Sequence, residues 1–214
     1  MRRIDAYTSG MLRIDNLTKR YGDHVVFQGL THEFHAGCLA LCEEESTGKS
    51  TLLSIVAGVI APDTGDVWID GHSIVQTPQL AKTRLAYVPD NCMVFPTQTG
   101  RGLLEQIASE RNVALDDAVM AIAHRLGLEP HLDKRFEQMS TGTRRKVYLT
   151  AAALGEPAVV IADGASNGLD APARAVLADL FKTWAQDRVV FFASHDAELV
   201  EACEAKVLNL AESR

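Results

Sequence analysis

Leu39-Ala40-Leu41-Cys42-Glu43-Glu44-Glu45-Ser46-Thr47-Gly48-Lys49-Ser50-Thr51-Leu52-Leu53-Ser54-Ile55-Val56-Ala57-Gly58 is the stretch on which the fold turns. Residues 39–42 form an apolar run, which fits a strand buried on both faces. Residues 50–57 read as a helix, and Gly58 stands where a helix stops. The segment between them ends in Gly48-Lys49-Ser50-Thr51, the second half of the phosphate-cradling pattern Gly, four residues, Gly-Lys-Ser/Thr. Gly48 lets backbone approach a phosphate, Lys49 offers a cation and Ser50 offers a hydroxyl for Mg²⁺. The helix start adds its positive dipole end and open N–H groups. The first half departs from the pattern, with Glu43 at the place of the first glycine.

Working outward, residues 85–88, 159–162 and 189–193 repeat the nearly all-apolar character of residues 39–42. Helical patterns separate them: residues 115–126 put Leu115, Val119, Ile122, Ala123 and Leu126 on one face, and residues 173–186 do the same with Val176, Leu177, Leu180, Phe181 and Trp184. This alternation predicts an α/β core with a mainly parallel sheet. Residues 12–18, 25–27, 31–34 and 66–69 are shorter, β-prone and bounded by turn signals, which predicts an N-terminal antiparallel β layer. Residues 91–155 hold no strand pattern and read as a helical insert. Residues 1–10 read as a flexible extension, and 11–214 as one domain.

The composition narrows the function classes. The 214 residues carry 47% hydrophobic and 23% charged side chains, enough for a sizeable core. A net charge of −7 argues against nucleic acid as a main partner. The start Met1-Arg2-Arg3-Ile4-Asp5 lacks the apolar stretch of a secretory signal, and the apolar runs are far short of the roughly 18 residues of a membrane helix. The cysteines, at 38, 42, 92 and 203, lack metal-binding spacing and read as small buried hydrophobes in a reducing compartment.

More motifs follow in a set order. Tyr21 comes after Leu17-Thr18-Lys19-Arg20. Tyr87-Val88-Pro89-Asp90-Asn91 ends the 85–88 strand. Met139-Ser140-Thr141-Gly142-Thr143 opens a helix, and taken alone Ser140 is simply its N-cap. Val159-Val160-Ile161-Ala162-Asp163-Gly164, Ser166-Asn167-Gly168-Leu169-Asp170 and Ala193-Ser194-His195-Asp196 complete the series. In this order and spacing the chain resembles the nucleotide-binding subunits of ATP-binding cassette (ABC) transporters over roughly residues 11–210. The resemblance implies a P-loop NTPase core that binds ATP and Mg²⁺. Tyr21 is then the adenine-stacking aromatic, with Gly48, Lys49, Ser50 and Thr51 at the phosphates and Ser50 and Asp163 on the metal. Ser140 and Gly142 are the signature residues that meet nucleotide held by an opposite subunit, Asp170 lies in the D-loop, and His195 and Asp90 are the catalytic candidates.

The departures from the family pattern bear on the chemistry. Asp90 replaces the Q-loop glutamine, and Thr141 and Thr143 replace signature glycine and glutamine. Gly164 stands where relatives carry the glutamate that polarises water. In the phosphate loop Glu43, Glu45 and Ser46 replace the usual residues. A carboxylate about 6 Å from phosphate charge at an effective dielectric near 20 is repelled by roughly 3 kcal/mol, close to what Lys49 returns. Two arrangements stay open: Glu43 or Glu45 pairs with Lys49 and fills the phosphate site, or the carboxylates face solvent and nucleotide binds weakly.

The resemblance therefore implies one of two roles. The chain is an ATP-binding subunit that couples ATP binding, and hydrolysis if it occurs, to a separate transmembrane permease, or it is a catalytically impaired pseudo-ATPase with a structural or regulatory role. Either implies a homodimer, or a heterodimer with another cassette, and a cytoplasmic place at the inner face of the membrane without direct insertion. Cytosolic ABC proteins acting on nucleic acid or ribosomes usually fuse two cassettes, and the acidic balance does not favour that class.

Overall fold

The computed structural model describes residues 11–42, 47–92 and 95–210. The expected extension at 1–10 lies outside the described residues, and so do Glu43, Glu45 and Ser46 with the proposed pairing to Lys49.

Two sheets share the work. β1 (Leu12–Tyr21), β2 (His24–Phe34), β4 (Thr64–Ile69) and β5 (His72–Ser73) form an antiparallel sheet in the order β2-β1-β4-β5. The second sheet is parallel, in the order β6-β7-β8-β3-β9, from β3 (Gly37–Leu41), β6 (Leu85–Val88), β7 (Val159–Ala162), β8 (Val189–Ala193) and β9 (Lys206–Val207). The sequence suggested two short strands at 25–27 and 31–34. They are one strand, because Gly29 adopts φ +68 and the ladder with β1 shifts register there instead of ending.

α1 (Lys49–Val56) follows β3 and stops at Gly58, whose φ of +66 closes the helix end. Short α2 (Pro78–Thr83) precedes β6. Between β6 and β7 lie α3 (Gly100–Glu110), α4 (Asp117–Arg125) and α5 (Thr141–Ala151), and the isolated bridge Thr99–Arg135 is the only β pairing among the described residues there. α6 (Ala171–Trp184) returns the chain to β8, and α7 (Ala197–Ala202) to β9. Arg111, at the end of α3, ties this helical lobe to the core by donating to the carbonyls of Leu154 at 2.5 Å and Leu85 at 2.8 Å.

The apolar strands are double-faced. Val160, Ala162, Val190 and Phe192 pack with residues of α3, α5 and α6, including Leu104, Leu149 and Leu177. Their neighbours Val159, Ile161, Val189 and Phe191 pack on the other side with α1 and the antiparallel sheet, including Leu53, Phe27 and Ile14. Two cores therefore sandwich one sheet, which is why these strands lack polar alternation. Cys38, Cys92 and Cys203 are buried and all four thiols are free, and burial pushes the Cys92 thiol up to about 11. No helix among the described residues is long and apolar enough to cross a membrane.

Candidate functional site

β3, β6, β7 and β8 end at one edge of the parallel sheet, and an open cavity of ≈ 570 Å³ lies there. Tyr21, Gly48, Lys49, Ser50, Thr51, Asp90, Asp163, Gly164 and His195 all line it. Residues from five separate sequence motifs thus meet in one place. Ser140, Gly142 and Asp170 are not part of its wall.

Gly48 caps α1 with φ +95, and a Cβ there would stand 2.4 Å from Val26 Cγ1. Both the left-handed backbone and the close strand exclude a side chain. Lys49 is the first helical residue and is 8% exposed. Ser50 Oγ donates to Asp163 Oδ1 at 3.1 Å. Asp163 is buried at the end of β7, and that burial pushes its carboxyl above the usual range. The Ser50 hydrogen bond opposes the shift, and the charge of Asp90 adds to it. A hydroxyl and a carboxylate side by side, next to a helix N-terminus, form an oxygen donor set suited to Mg²⁺ carrying a phosphate.

At the mouth, Tyr21 is half exposed. One ring face is covered by the Lys19 ammonium, 5.4 Å from the centroid. Lys19 is itself held by the Ala61 carbonyl at 3.0 Å and Asp63 Oδ1 at 3.1 Å. Hydrogen bonds from the Lys19 ammonium and then the Arg20 N–H hold the Asp63 carboxyl below its usual range. The ring is thus backed by a cation, with its remaining face available to a base.

Where the family pattern has a glutamate after the aspartate that ends β7, this chain has Gly164 in a crowded spot. Gly164 has φ +59, and a Cβ on it would stand 2.4 Å from Asn167 Nδ2 and 2.5 Å from Asp90 Oδ1. Asp90 Oδ1 accepts from Asn167 Nδ2 at 3.0 Å and from Arg145 Nη2 at 3.1 Å. The Asp90 carboxylate therefore occupies the space into which a side chain at 164 would begin.

The signature segment sits beside this cluster. Ser140 caps α5, accepting from the Thr143 N–H at 3.1 Å, and its Oγ lies 2.9 Å from Thr143 Oγ1. Gly142 packs on the backbone of Gly168, one residue beyond Asn167. Asp170 caps α6 by accepting from the Ala173 N–H at 2.9 Å, which holds its carboxyl below the usual range, and it lies 3.4 Å from Lys146 Nζ. His195 is exposed. The preceding Ser194 Oγ contacts Ser166 Oγ at 3.1 Å and accepts from the Asp196 N–H.

Sequence reasoning missed Arg145 and Asn167 as members of the site. The signal for Arg145 is its helical phase: Gly142, Arg145 and Leu149 share the buried face of α5, so the arginine needs a partner inside. Asn167 gives no such signal, because only the folded loop brings it to Asp90.

The ABC transporter family model matches residues 30–167. ATP-binding cassette sub-family A member 7 of Rattus norvegicus is 32% identical over 81% of this chain, and the match spans 8% of that protein's length. The phosphonates import ATP-binding protein PhnC of Wolinella succinogenes is 28% identical over 94% of this chain and 80% of its own. Among solved structures, an ATP binding subunit of an ABC transporter superposes with TM-score 0.81 at 23% identity, covering 93% of this chain and 86% of that one. A dimeric ATP-binding cassette bound to ADP and Pi gives 0.78 at 18% identity, covering 93% and 94%. The fold is that of these P-loop ATPase domains, and by the match over residues 30–167 the chain belongs to the ABC transporter family.

Proposed function

We propose that the chain is the ATP-binding subunit of an ABC transporter and couples nucleotide binding to a separate permease. The observation that carries this is the Ser50–Asp163 pair at the N-terminus of α1, in one cavity with Lys49 and Tyr21. The adenine stacks on the free face of Tyr21. Lys49 and the first N–H groups of α1 would receive the phosphates, and Ser50 and Asp163 would hold Mg²⁺. When bound, the metal would draw charge off the phosphate oxygens.

Hydrolysis in this site is slow, because no glutamate follows Asp163. A water oxygen attacks the γ-phosphorus, the bond to the β–γ bridging oxygen breaks, and the Asp90 carboxylate takes the water proton. His195, on the same wall, helps to orient that water. Loss of a dedicated base removes about 10²–10⁴ in rate, so turnover below about one per second is expected.

Ser140 and Gly142, outside the cavity, fit a role on nucleotide held by an opposing cassette, in a homodimer or a heterodimer. With a permease partner the chain sits in the cytoplasm at the inner face of the membrane. The second reading, a pseudo-ATPase that binds without turnover, is favoured by Gly164 and by Glu43 and Glu45 beside the phosphate loop.

Titration calorimetry with Mg-ATP on the unaltered chain and on Lys49→Ala tests binding. Saturable binding that the variant loses is expected, and equal heats from both would overturn the reading. Phosphate release by the same sample decides between slow turnover and none.

A further inference from the structure

We propose that Arg145 is a positioning residue, a buried guanidinium on α5 that fixes the Asp90 carboxylate over Gly164. Asn167 acts as the second clamp. The inference rests on the reading above that Asp90 handles the water proton, and it goes beyond it by assigning the group that makes this possible.

Three observations converge. Arg145 is wholly buried, and its Nη2 reaches both Asp90 O at 2.8 Å and Asp90 Oδ1 at 3.1 Å, while Nη1 donates to the Asp163 carbonyl at 2.7 Å. One planar cation thereby spans the ends of β6 and β7 and grips Asp90 by main chain and side chain together. A side chain that is 59% exposed would otherwise sample several rotamers. The second observation is Asn167, which donates to the same Oδ1 from the opposite loop. Both fixed bonds fall on one oxygen, and Oδ2 takes none from the described residues. The third is Gly164: the carboxylate stands where its side chain would be, so the negative charge is delivered from the end of β6 instead of the end of β7.

Stability alone does not account for the arginine. Among the described residues its Nε is buried with no hydrogen-bond partner. Taking a guanidinium out of water is costly even when its partner carboxylate stays exposed, and an apolar side chain of similar volume often stabilises as well. The rigid, always charged fork does supply orientation, which a flexible lysine supplies less well.

The test compares Arg145→Met, Arg145→Lys, Asn167→Ala and Asp90→Asn in the full chain, alone and with its permease, by Mg-ATP affinity and by kcat. Arg145 is not part of the cavity wall, so Kd for Mg-ATP stays within about twofold in the arginine variants. Expected losses in kcat are about 10²-fold or more for Asp90→Asn, about 10-fold or more for Arg145→Met and a smaller loss for Asn167→Ala, with partial recovery in Arg145→Lys. If Arg145→Met does not fold, Asn167→Ala at its exposed position carries the test. A drop in kcat matched by an equal loss of affinity, without recovery by lysine, would make Arg145 merely structural and overturn the proposal. So would unchanged kcat in Arg145→Met and Asn167→Ala while Asp90→Asn is inactive. Unchanged kcat in Asp90→Asn, or no turnover by the unaltered chain, overturns the parent reading and this one with it.

Discussion

Gly142, in the first turn of α5, lies so close to Gly168 that a Cβ on it would stand 2.1 Å from the Gly168 carbonyl oxygen. The obstacle is backbone, and Gly168 itself holds φ +74, so neither side yields easily. Gly142→Ala is expected to destabilise the fold by about 1–3 kcal/mol, the usual range for overpacking. Urea unfolding checks this: the midpoint falls while the slope is kept.

Restoring a glutamate after Asp163 does not restore a fast enzyme. Gly164→Glu meets Asp90 and Asn167 at once and forces an L-residue to φ +59. The backbone alone costs about 1–2 kcal/mol. The expected outcome is a lower melting temperature and a turnover no higher than that of the parent, read by calorimetry and phosphate release. A tenfold gain in turnover would contradict the steric account.

Asp163 links the site to pH. Its carboxyl is raised by burial above the ordinary value of 3.8. A carboxyl raised in the folded state favours folding while protonated. That contribution is complete below 3.8 and is lost as pH rises through the raised value. Asp163→Asn stays neutral throughout, so the nucleotide-free variant is expected to melt above the parent at pH 7, with the difference closing toward pH 3. The same variant binds Mg-ATP more weakly. Melting curves at several pH values with and without Mg-ATP check both halves, and a variant that melts below the parent at pH 7 without nucleotide would refute the sign.

Tyr21 offers one open face backed by the Lys19 ammonium. Base–aromatic stacking contributes about 1–3 kcal/mol, so Tyr21→Ala is expected to weaken Mg-ATP binding by roughly 5- to 150-fold. Tyr21→Trp is expected to keep it. Equal affinities in all three proteins, measured by titration calorimetry, would remove the ring from the binding site.

Much of this molecule is legible in its sequence. Residues 85–88, 159–162 and 189–193 are strands at the expected bounds, because a strand covered on both faces must be apolar throughout and nothing else of that length competes. α3 was not read, since two glycines and a polar face hide its pattern, and its start depends on Thr99 accepting from the Gly102 N–H. At the site, the family resemblance named Tyr21, Gly48, Lys49, Ser50, Thr51, Asp90, Asp163 and His195, which line one cavity, and also Ser140, Gly142 and Asp170, which lie outside it. The crowding at Gly164 was not legible. It depends on Asp90 and Asn167 approaching from loops 77 residues apart, a proximity that no local pattern encodes.

The parallel ladder has a consequence for how such a site tolerates change. Leu41 pairs with Ala193, Ala162 with Phe192 and Val88 with Ala162, so neighbouring strands finish nearly level. The pairing carries on past their ends, where the Ser194 N–H bonds to the Leu41 carbonyl and the Asp163 N–H to that of Val88. A slip of one residue would displace a strand tip by about 3.3 Å, more than a hydrogen bond can span. Alignment between the tips is thus set by main-chain atoms that every amino acid shares, and letters at the rim can be rewritten while the rim itself stays true.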